Sequence, residues 1–256
     1  MNTNMPTKIN QLLQKVPRGG LFLASWMHKT GISRELQRHY KKSQWLTSID
    51  TGVMMRTGEM PSLFGALASL NEQDNKHFAI GAMSSLEMQG FSHYLPMGKK
   101  TMVLFSPKGE RLPAWFLKRD WNVFLRHFTT ECLSFGLGIE TVLQESFNLP
   151  VSSPARAFLE CLYLSPKYYN LTDLYYVMEI LSLLPPFQVQ ELLEDCKSIK
   201  VKRLFLYMAE KAGHDWLKML DLSKISLGTG KRAIVKNGVY NAKYQITIPK
   251  ELENVE

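Results

Sequence analysis

The order of apolar and polar positions divides the chain into elements. In "KINQLLQKV" Ile9, Leu12, Leu13 and Val16 recur at helical spacing, and "PRGG" ends the run. "LASWMHKT" predicts a second short helix, with Gly31 as its C-terminal stop. Ser33 stands where its side-chain oxygen can cap a third helix by accepting an otherwise orphaned backbone N–H. "WLTSI" and "VMMR" then read as strands joined by Asp50-Thr51-Gly52, a three-residue hairpin loop with glycine last, where φ is positive. Helix, helix, helix and a two-stranded wing is the order of a winged helix-turn-helix.

Beyond it, "PSLFGALASL" predicts a helix, "NEQDNK" a polar break, and "HFAIGAMSSLEMQG" a short strand and a helix closed by Gly90. "TMVLF", "WNVFLRHF" and "TVLQESFNLPV" read as strands. Helices dominate from 153 onward, in "SPARAFLECLYL", "LTDLYYVMEILSLL", "PFQVQELLEDC" and "VKRLFLYMAEKAG". A glycine-rich loop, "LGTGKR", precedes two last strands, "RAIV" and "YQITI". The pattern predicts an α+β protein: an N-terminal winged helix-turn-helix with its core at about 8–57, then a mixed α/β C-terminal domain with a small sheet and several helices. The division is placed between 1–97 and 98–256, at "MGKK", with the break at 71–76 as its competitor.

Composition narrows the setting. With 256 residues and 45% hydrophobic content the chain can build a core without metals or disulfides. Cys132, Cys161 and Cys196 are odd in number, far apart and form no CxxC, which favours a reducing cytoplasm. The start, "MNTNMPTKIN", lacks the pattern of a signal peptide, and no apolar run is long enough to span a bilayer. The formal charge of +8 is segregated: residues 1–60 carry +6, 61–196 carry −4 and 197–243 carry +8. Two basic blocks around a mildly acidic middle point to polyanionic partners.

The first basic block has a direction. At about 100° per residue, Arg34, Gln37, Arg38, Lys41 and Lys42 fall within a sector of about 140°, and Leu36 and Tyr40 lie opposite. Such a face suits a recognition helix. Arg and Gln can each contact a base edge in two places, discriminating by roughly 1–3 kcal/mol. Lys41, Lys42 and the wing's Arg56 would serve phosphates, which set register. A solvated amphipathic helix has the same face; the two preceding helices and the following hairpin favour DNA.

The second block, which includes Lys200, Lys202, Arg203, Lys231 and Arg232, is less specific. "GTGK" invites a phosphate-loop reading, but the required pattern has glycine at 225 and Ser/Thr at 232, where this chain has Ile225 and Arg232. The glycines are better explained by a tight turn. Asp195-Cys196-Lys197 has the D-x-K form of some nucleases, without an evident carboxylate partner for a metal. The six histidines show no metal-ligand spacing, His214 is read as packing or capping, and Ser153 is read as a helix cap. Arg156 and Glu160 are an i,i+4 pair, expected to contribute only tenths of a kcal/mol on a helix. No catalytic set, metal site or cofactor site emerges.

The chain resembles the AbiEi family of antitoxin transcriptional regulators of type IV toxin–antitoxin and abortive-infection systems. The resemblance is carried by "INQLLQKVPRGGLFLASWMHKTGISRELQRHYKKSQWL", "VSSPARAFLECLYL", "VKRLFLYMAEKAGHDWLKMLDLSKISLGTGKRAIVKNGVY" and "KYQITIPKE". It implies an N-terminal winged helix that binds inverted repeats upstream of its own operon and represses it. It also implies a C-terminal domain that neutralises a nucleotidyltransferase-like toxin, without the need for a stable complex. Ser33, Arg34, Gln37, Arg38, Lys41 and Lys42 then fall on the recognition helix, and Thr51 and Arg56 on the wing. Lys200, Lys202, Arg203, Lys231 and Arg232 fall in the block transferred as the antitoxin surface.

The expectation is therefore a non-enzymatic, cytoplasmic, phage-defence antitoxin and autorepressor. It would use no cofactor and would act as a monomer or a weak dimer pairing on its DNA. Three alternatives remain: a plain winged-helix regulator whose second domain senses a ligand or dimerises, a metal-dependent nuclease using Asp195, and an RNA-binding protein using 197–243.

Overall fold

The computed structural model describes residues 7–91 and 98–255. The expected boundary at 97–98 falls at the edge of residues 92–97, which lie outside the described residues. The chain forms two compact units that are not continuous in sequence. The first takes residues up to Phe78 together with Gly109–Val123 and Thr141–Pro150; the second takes Ala79–Lys108, Phe124–Glu140 and the chain from Val151. Later segments of the chain supply side chains to the core of the first unit. The ring of Phe147, for example, is buried where a Cβ on Gly20 or Gly65 would stand 3.1 or 2.8 Å from it.

The first unit opens with helix α1 (Lys8–Lys15), strand β1 (Phe22–Leu23), helix α2 (Ala24–Lys29) and helix α3 (Arg34–Lys42). Strands β2 (Leu46–Asp50) and β3 (Val53–Arg56) follow, and the sheet order is β1-β3-β2, all antiparallel. Ile9, Leu12, Phe22, Met27, Tyr40 and Leu46 fill the core between them. The hairpin pairing reaches Asp50↔Val53, so Asp50 belongs to the strand, and a register shift lies between Ser48 and Asp50. Gly52 takes φ +74, the conformation expected of the last loop residue.

Helix α4 (Leu63–Gln73), capped by the Ser62 side chain, runs through half of the expected polar break. Its polar residues are used internally. Ser69 Oγ accepts from Leu21 N, Gln73 Oε1 accepts from Leu23 N, and Asn71 bonds both the N–H and the carbonyl of Phe78. A short helix α6 (Ala114–Lys118), unforeseen in the sequence, also belongs to this unit.

In the second unit, β4 (Ala79–Ile80) pairs antiparallel with β5 (Thr101–Ser106), and β5 pairs parallel with β6 (Phe124–Thr129). Helix α5 (Ala82–Met88) follows β4. The segment read as one strand, "TVLQESFNLPV", is two: β7 (Ile139–Gln144) and β8 (Phe147–Ser152), turning where Glu145 takes φ +56. Both cross from one unit to the other in mid-strand, and β8 pairs parallel with β4 at Ile80↔Val151.

Helices α7 (Pro154–Leu164), α8 (Leu171–Ile180), α9 (Pro186–Asp195) and α10 (Ile199–Lys211) pack around Phe158, Leu162, Met178 and Phe205. Ser153 caps α7 with Pro154 in the first turn, as its sequence implies. Two 3-10 turns lead to a small sheet of order β10-β11-β9, formed by β9 (Arg232–Ala233), β10 (Val239–Asn241) and β11 (Ile246–Ile248), and to α11 (Lys250–Asn254). Among the described residues no helix is long and apolar enough to cross a membrane.

Candidate nucleic-acid interface

Helix α3 is positioned by its own ends. Ser33 Oγ accepts from Leu36 N at 3.2 Å, and Ile32 N–H returns to the Met27 carbonyl, fixing the turn between α2 and α3. Tyr40 is buried in the core and its hydroxyl pKa is raised by that burial. Arg34, Arg38, Lys41 and Lys42 all stand exposed on the other side. Arg38 lies 3.4 Å from Glu35, in an exposed i,i+3 pair. The Glu35 carboxyl is held below its ordinary range by its own backbone N–H, then by the Ser33 hydroxyl, with Arg38 and Arg34 adding to the effect. Arg34, Lys41 and Lys42 make no ion pair among the described residues.

Two of the expected contacts face inward instead. Gln37, 5% exposed, donates through Nε2 to the carbonyls of Ala24 and Ile32. Its place at the edge of the basic sector puts it against α2, where it ties the helices together. Arg56 donates to the carbonyls of Leu13, Val16 and Pro17, collecting the orphan acceptors at the end of α1. Its charge is spent inside the fold, 3.5 Å from Glu59 and over the ring of Phe22. Thr51 is at the tip of the wing and exposed, its N–H bonded to Asp50 Oδ1 at 2.6 Å. Trp45, which the sequence reading passed over, stands half-exposed beside the wing; the alternation of "WLTSI" put Leu46 inside and its neighbour outside.

Two residues of the expected antitoxin surface are interior. Lys202 and Arg203 are 4% and 2% exposed. Arg203 donates to the carbonyls of Leu227, Gly230, Gln245 and Gly228, so the glycine-rich loop is wrapped around a guanidinium. Lys200 reaches the carbonyls of Tyr163 and Ser165 at 3.0 and 2.6 Å, and burial lowers its pKa. Lys231, over the Tyr240 ring, and Arg232 remain on the surface.

The other candidates have structural partners. Asp195 accepts from both the N–H and the hydroxyl of Ser134, each at 2.6 Å, and no group of three or more metal-ligating side chains exists among the described residues. His214 stacks on Trp216 and meets the Met178 carbonyl at 2.7 Å. Arg156 and Glu160, read in the sequence only as a weak helical i,i+4 pair, are sealed inside the second unit.

Three helices, a three-stranded sheet with a wing and an exposed basic second helix of the helix-turn-helix define a winged helix-turn-helix regulator. The chain belongs to the AbiEi antitoxin family: the family described as "Transcriptional regulator, AbiEi antitoxin, Type IV TA system" matches residues 99–249, and its N-terminal domain family matches residues 5–97. Membership brings the roles of antitoxin and transcriptional regulator, with DNA and a toxin as partners in general terms. Among solved structures, the Rv2827c protein from Mycobacterium tuberculosis is similar in fold, with a TM-score of 0.60 at 14% identity, covering 94% of this chain and 89% of that one. No functionally curated protein matches the sequence.

Proposed function

We propose that this protein is the cytoplasmic, non-enzymatic antitoxin of a type IV system that binds inverted-repeat operator DNA through α3 and represses its own operon. The observation that carries the DNA-binding half is the set of four exposed cations, Arg34, Arg38, Lys41 and Lys42, on one face of a helix whose back is buried. Ser33, the cap of α3, and Thr51, at the tip of the wing, would add hydroxyl contacts to phosphate. Inverted repeats call for two molecules per site, monomers or a weak dimer that pair on the duplex. The antitoxin half rests on family membership, with a nucleotidyltransferase-like toxin as the partner.

The test is binding to the DNA upstream of the operon at several salt concentrations. Specific binding is expected, and replacing Lys41 by Ala should lower the salt slope by about one. Unchanged affinity in both Arg38→Ala and Lys41→Ala would remove α3 from the interface.

A second reading, a plain regulator whose second unit senses a small ligand, draws on one cavity of about 230 Å³. It is lined by Glu87, Arg126, Phe128, Tyr168 and Tyr169 among others. Operator affinity that changes with a bound metabolite, in a protein that rescues no toxic partner, would favour it.

A further inference from the structure

The cavity of the second unit lies between α5, the face of β5 and β6 that carries Val103 and Arg126, and the turn after α7. At about 230 Å³ it is smaller than the roughly 300–1,000 Å³ of pockets that enclose drug-sized ligands, so it takes one ring system with substituents outside. Phe128 and Tyr168 meet edge to face at 5.1 Å between ring centres, and Tyr169 adds a third ring. Rings so placed offer faces and edges to a flat guest.

Both signs of charge line it. The half-buried Glu87 carboxyl makes no hydrogen bond or ion pair among the described residues; burial raises its pKa and Lys100 opposes the rise. The exposed Arg126 guanidinium lies 4.9 Å from the centre of the Tyr168 ring, and the Lys167 ammonium 5.1 Å from it. Neither cation makes an ion pair or a side-chain hydrogen bond among the described residues. Lys99, over the Phe124 ring, adds a third positive charge to the lining. Tyr169 senses both signs: burial above all pushes its hydroxyl up, Glu87 adds to that, and Arg126 opposes it.

These groups select among guests. A hydrocarbon would leave Glu87 and Arg126 unanswered. A bare anion gains nothing from the three rings and is repelled by Glu87, while a cation is repelled by Arg126, Lys167 and Lys99. A flat ring that donates N–H groups and carries its negative charge on a separate group answers every wall. That is the chemistry of a nucleotide. An aromatic amino acid joins its ammonium and carboxylate at one carbon, and answers a half-buried acid with exposed cations outside it less well.

We propose that this cavity binds a nucleotide, its base among Phe128, Tyr168 and Tyr169 with N–H groups donated to Glu87, and its phosphate at Arg126 and Lys167. This rests on the reading of the cavity as a small-ligand site given above, and it names the class of ligand. A free nucleotide and the end of a single strand of RNA present the same base and phosphate. Stacking on the rings would supply affinity with little preference among bases, and the one carboxyl would supply what preference there is.

The test is titration calorimetry of the full-length protein with AMP, GMP, CMP and UMP. Ribose 5-phosphate, L-tryptophan and benzoate are the controls, and a short single-stranded oligouridylate is a further probe. One or more of the four nucleotides should bind at one site per chain, about tenfold or more tighter than ribose 5-phosphate, which lacks the ring. Arg126→Gln should weaken that binding about tenfold or more, and Glu87→Gln should change the order of the four bases. Neither side chain has a hydrogen-bond partner to lose, so both variants should melt within about 2 °C of the parent. Oligouridylate that binds more tightly than UMP, and loses this advantage in Arg126→Gln, identifies a strand as the source; the reverse order identifies the free nucleotide. Ribose 5-phosphate that binds as tightly as the nucleotides, or a nucleotide that binds Arg126→Gln as tightly as the parent, overturns the proposal. Binding of tryptophan or benzoate in place of any nucleotide overturns the nucleotide and keeps the ligand site. No binding of any probe at millimolar concentration overturns both.

Discussion

Arg156 Nε donates to Glu160 Oε1 at 2.8 Å, with both side chains closed off from solvent inside the second unit. Glu160 also accepts from Ala82 N and from Ser152 Oγ, and Arg156 reaches the Ser134 carbonyl. One pair thus holds α7 to the start of α5 and to the loop before β7. On a helix surface it would contribute tenths of a kcal/mol. Inside, loss of one partner leaves an uncompensated charge, and Arg156→Ala should cost about 3–5 kcal/mol in urea denaturation. The double change Arg156→Met/Glu160→Leu should recover most of that loss.

Gln37 and Arg38 are neighbours with opposite duties. Gln37→Ala should destabilise the fold by about 1–3 kcal/mol, since one buried and one partly buried carbonyl lose this donor. It should also weaken operator binding by loosening α3 on α2. Arg38→Ala should weaken binding and change stability by about 0.5 kcal/mol or less, its side chain being exposed. Melting curves recorded beside affinities would separate the two roles.

Arg203 supplies donors to three carbonyls of the glycine-rich loop and to that of Gln245, in the turn before β11. Arg203→Met keeps the stem and removes the donors. It should lower stability by about 2–4 kcal/mol and expose residues 226–232 to proteolysis before the rest of the unit unfolds. A cleavage pattern identical to the parent's would refute this.

Cys132 and Cys196 approach to 3.6 Å between sulfurs, from segments pinned together by Ser134–Asp195 and by Lys197 N to the Cys132 carbonyl. The Cys196 pKa is lowered, first by the hydrogen bond from Cys132, whose own thiol is pushed up. Treatment with diamide should therefore convert two thiols to an internal disulfide, the diazene being reduced to the hydrazine. Mass spectrometry should find the protein two hydrogens lighter, with Cys161 still free; Cys132→Ser should abolish the change.

The winged helix was legible because each of its punctuation marks has a local cause. Ser33 caps, Gly31 and Gly52 take positive φ, and Leu46 alternates with exposed neighbours. The β7–β8 hairpin was not, since Glu145 adopts positive φ without the glycine or asparagine that normally announces it. Helix α4 overran its predicted end because Gln73 and Asn71, polar in composition, serve as internal braces. The same limit explains the site. Helical angles located the basic face of α3, but neither angle nor charge reveals that Gln37, Arg56 and Arg203 satisfy backbone carbonyls of other segments. Those demands arise only once distant backbone has been brought close.

The interleaving of the two units has a temporal side. Phe147, the ring beside Gly20 and Gly65, belongs to the last stretch of the first unit, which ends at Pro150. During synthesis the first unit therefore lacks part of its own core until Pro150 has cleared the ribosome, by which point much of the second has been made. A nascent chain halted near its midpoint would hold an unfinished first unit, and under the function proposed above operator occupancy would report on molecules translated well past that point.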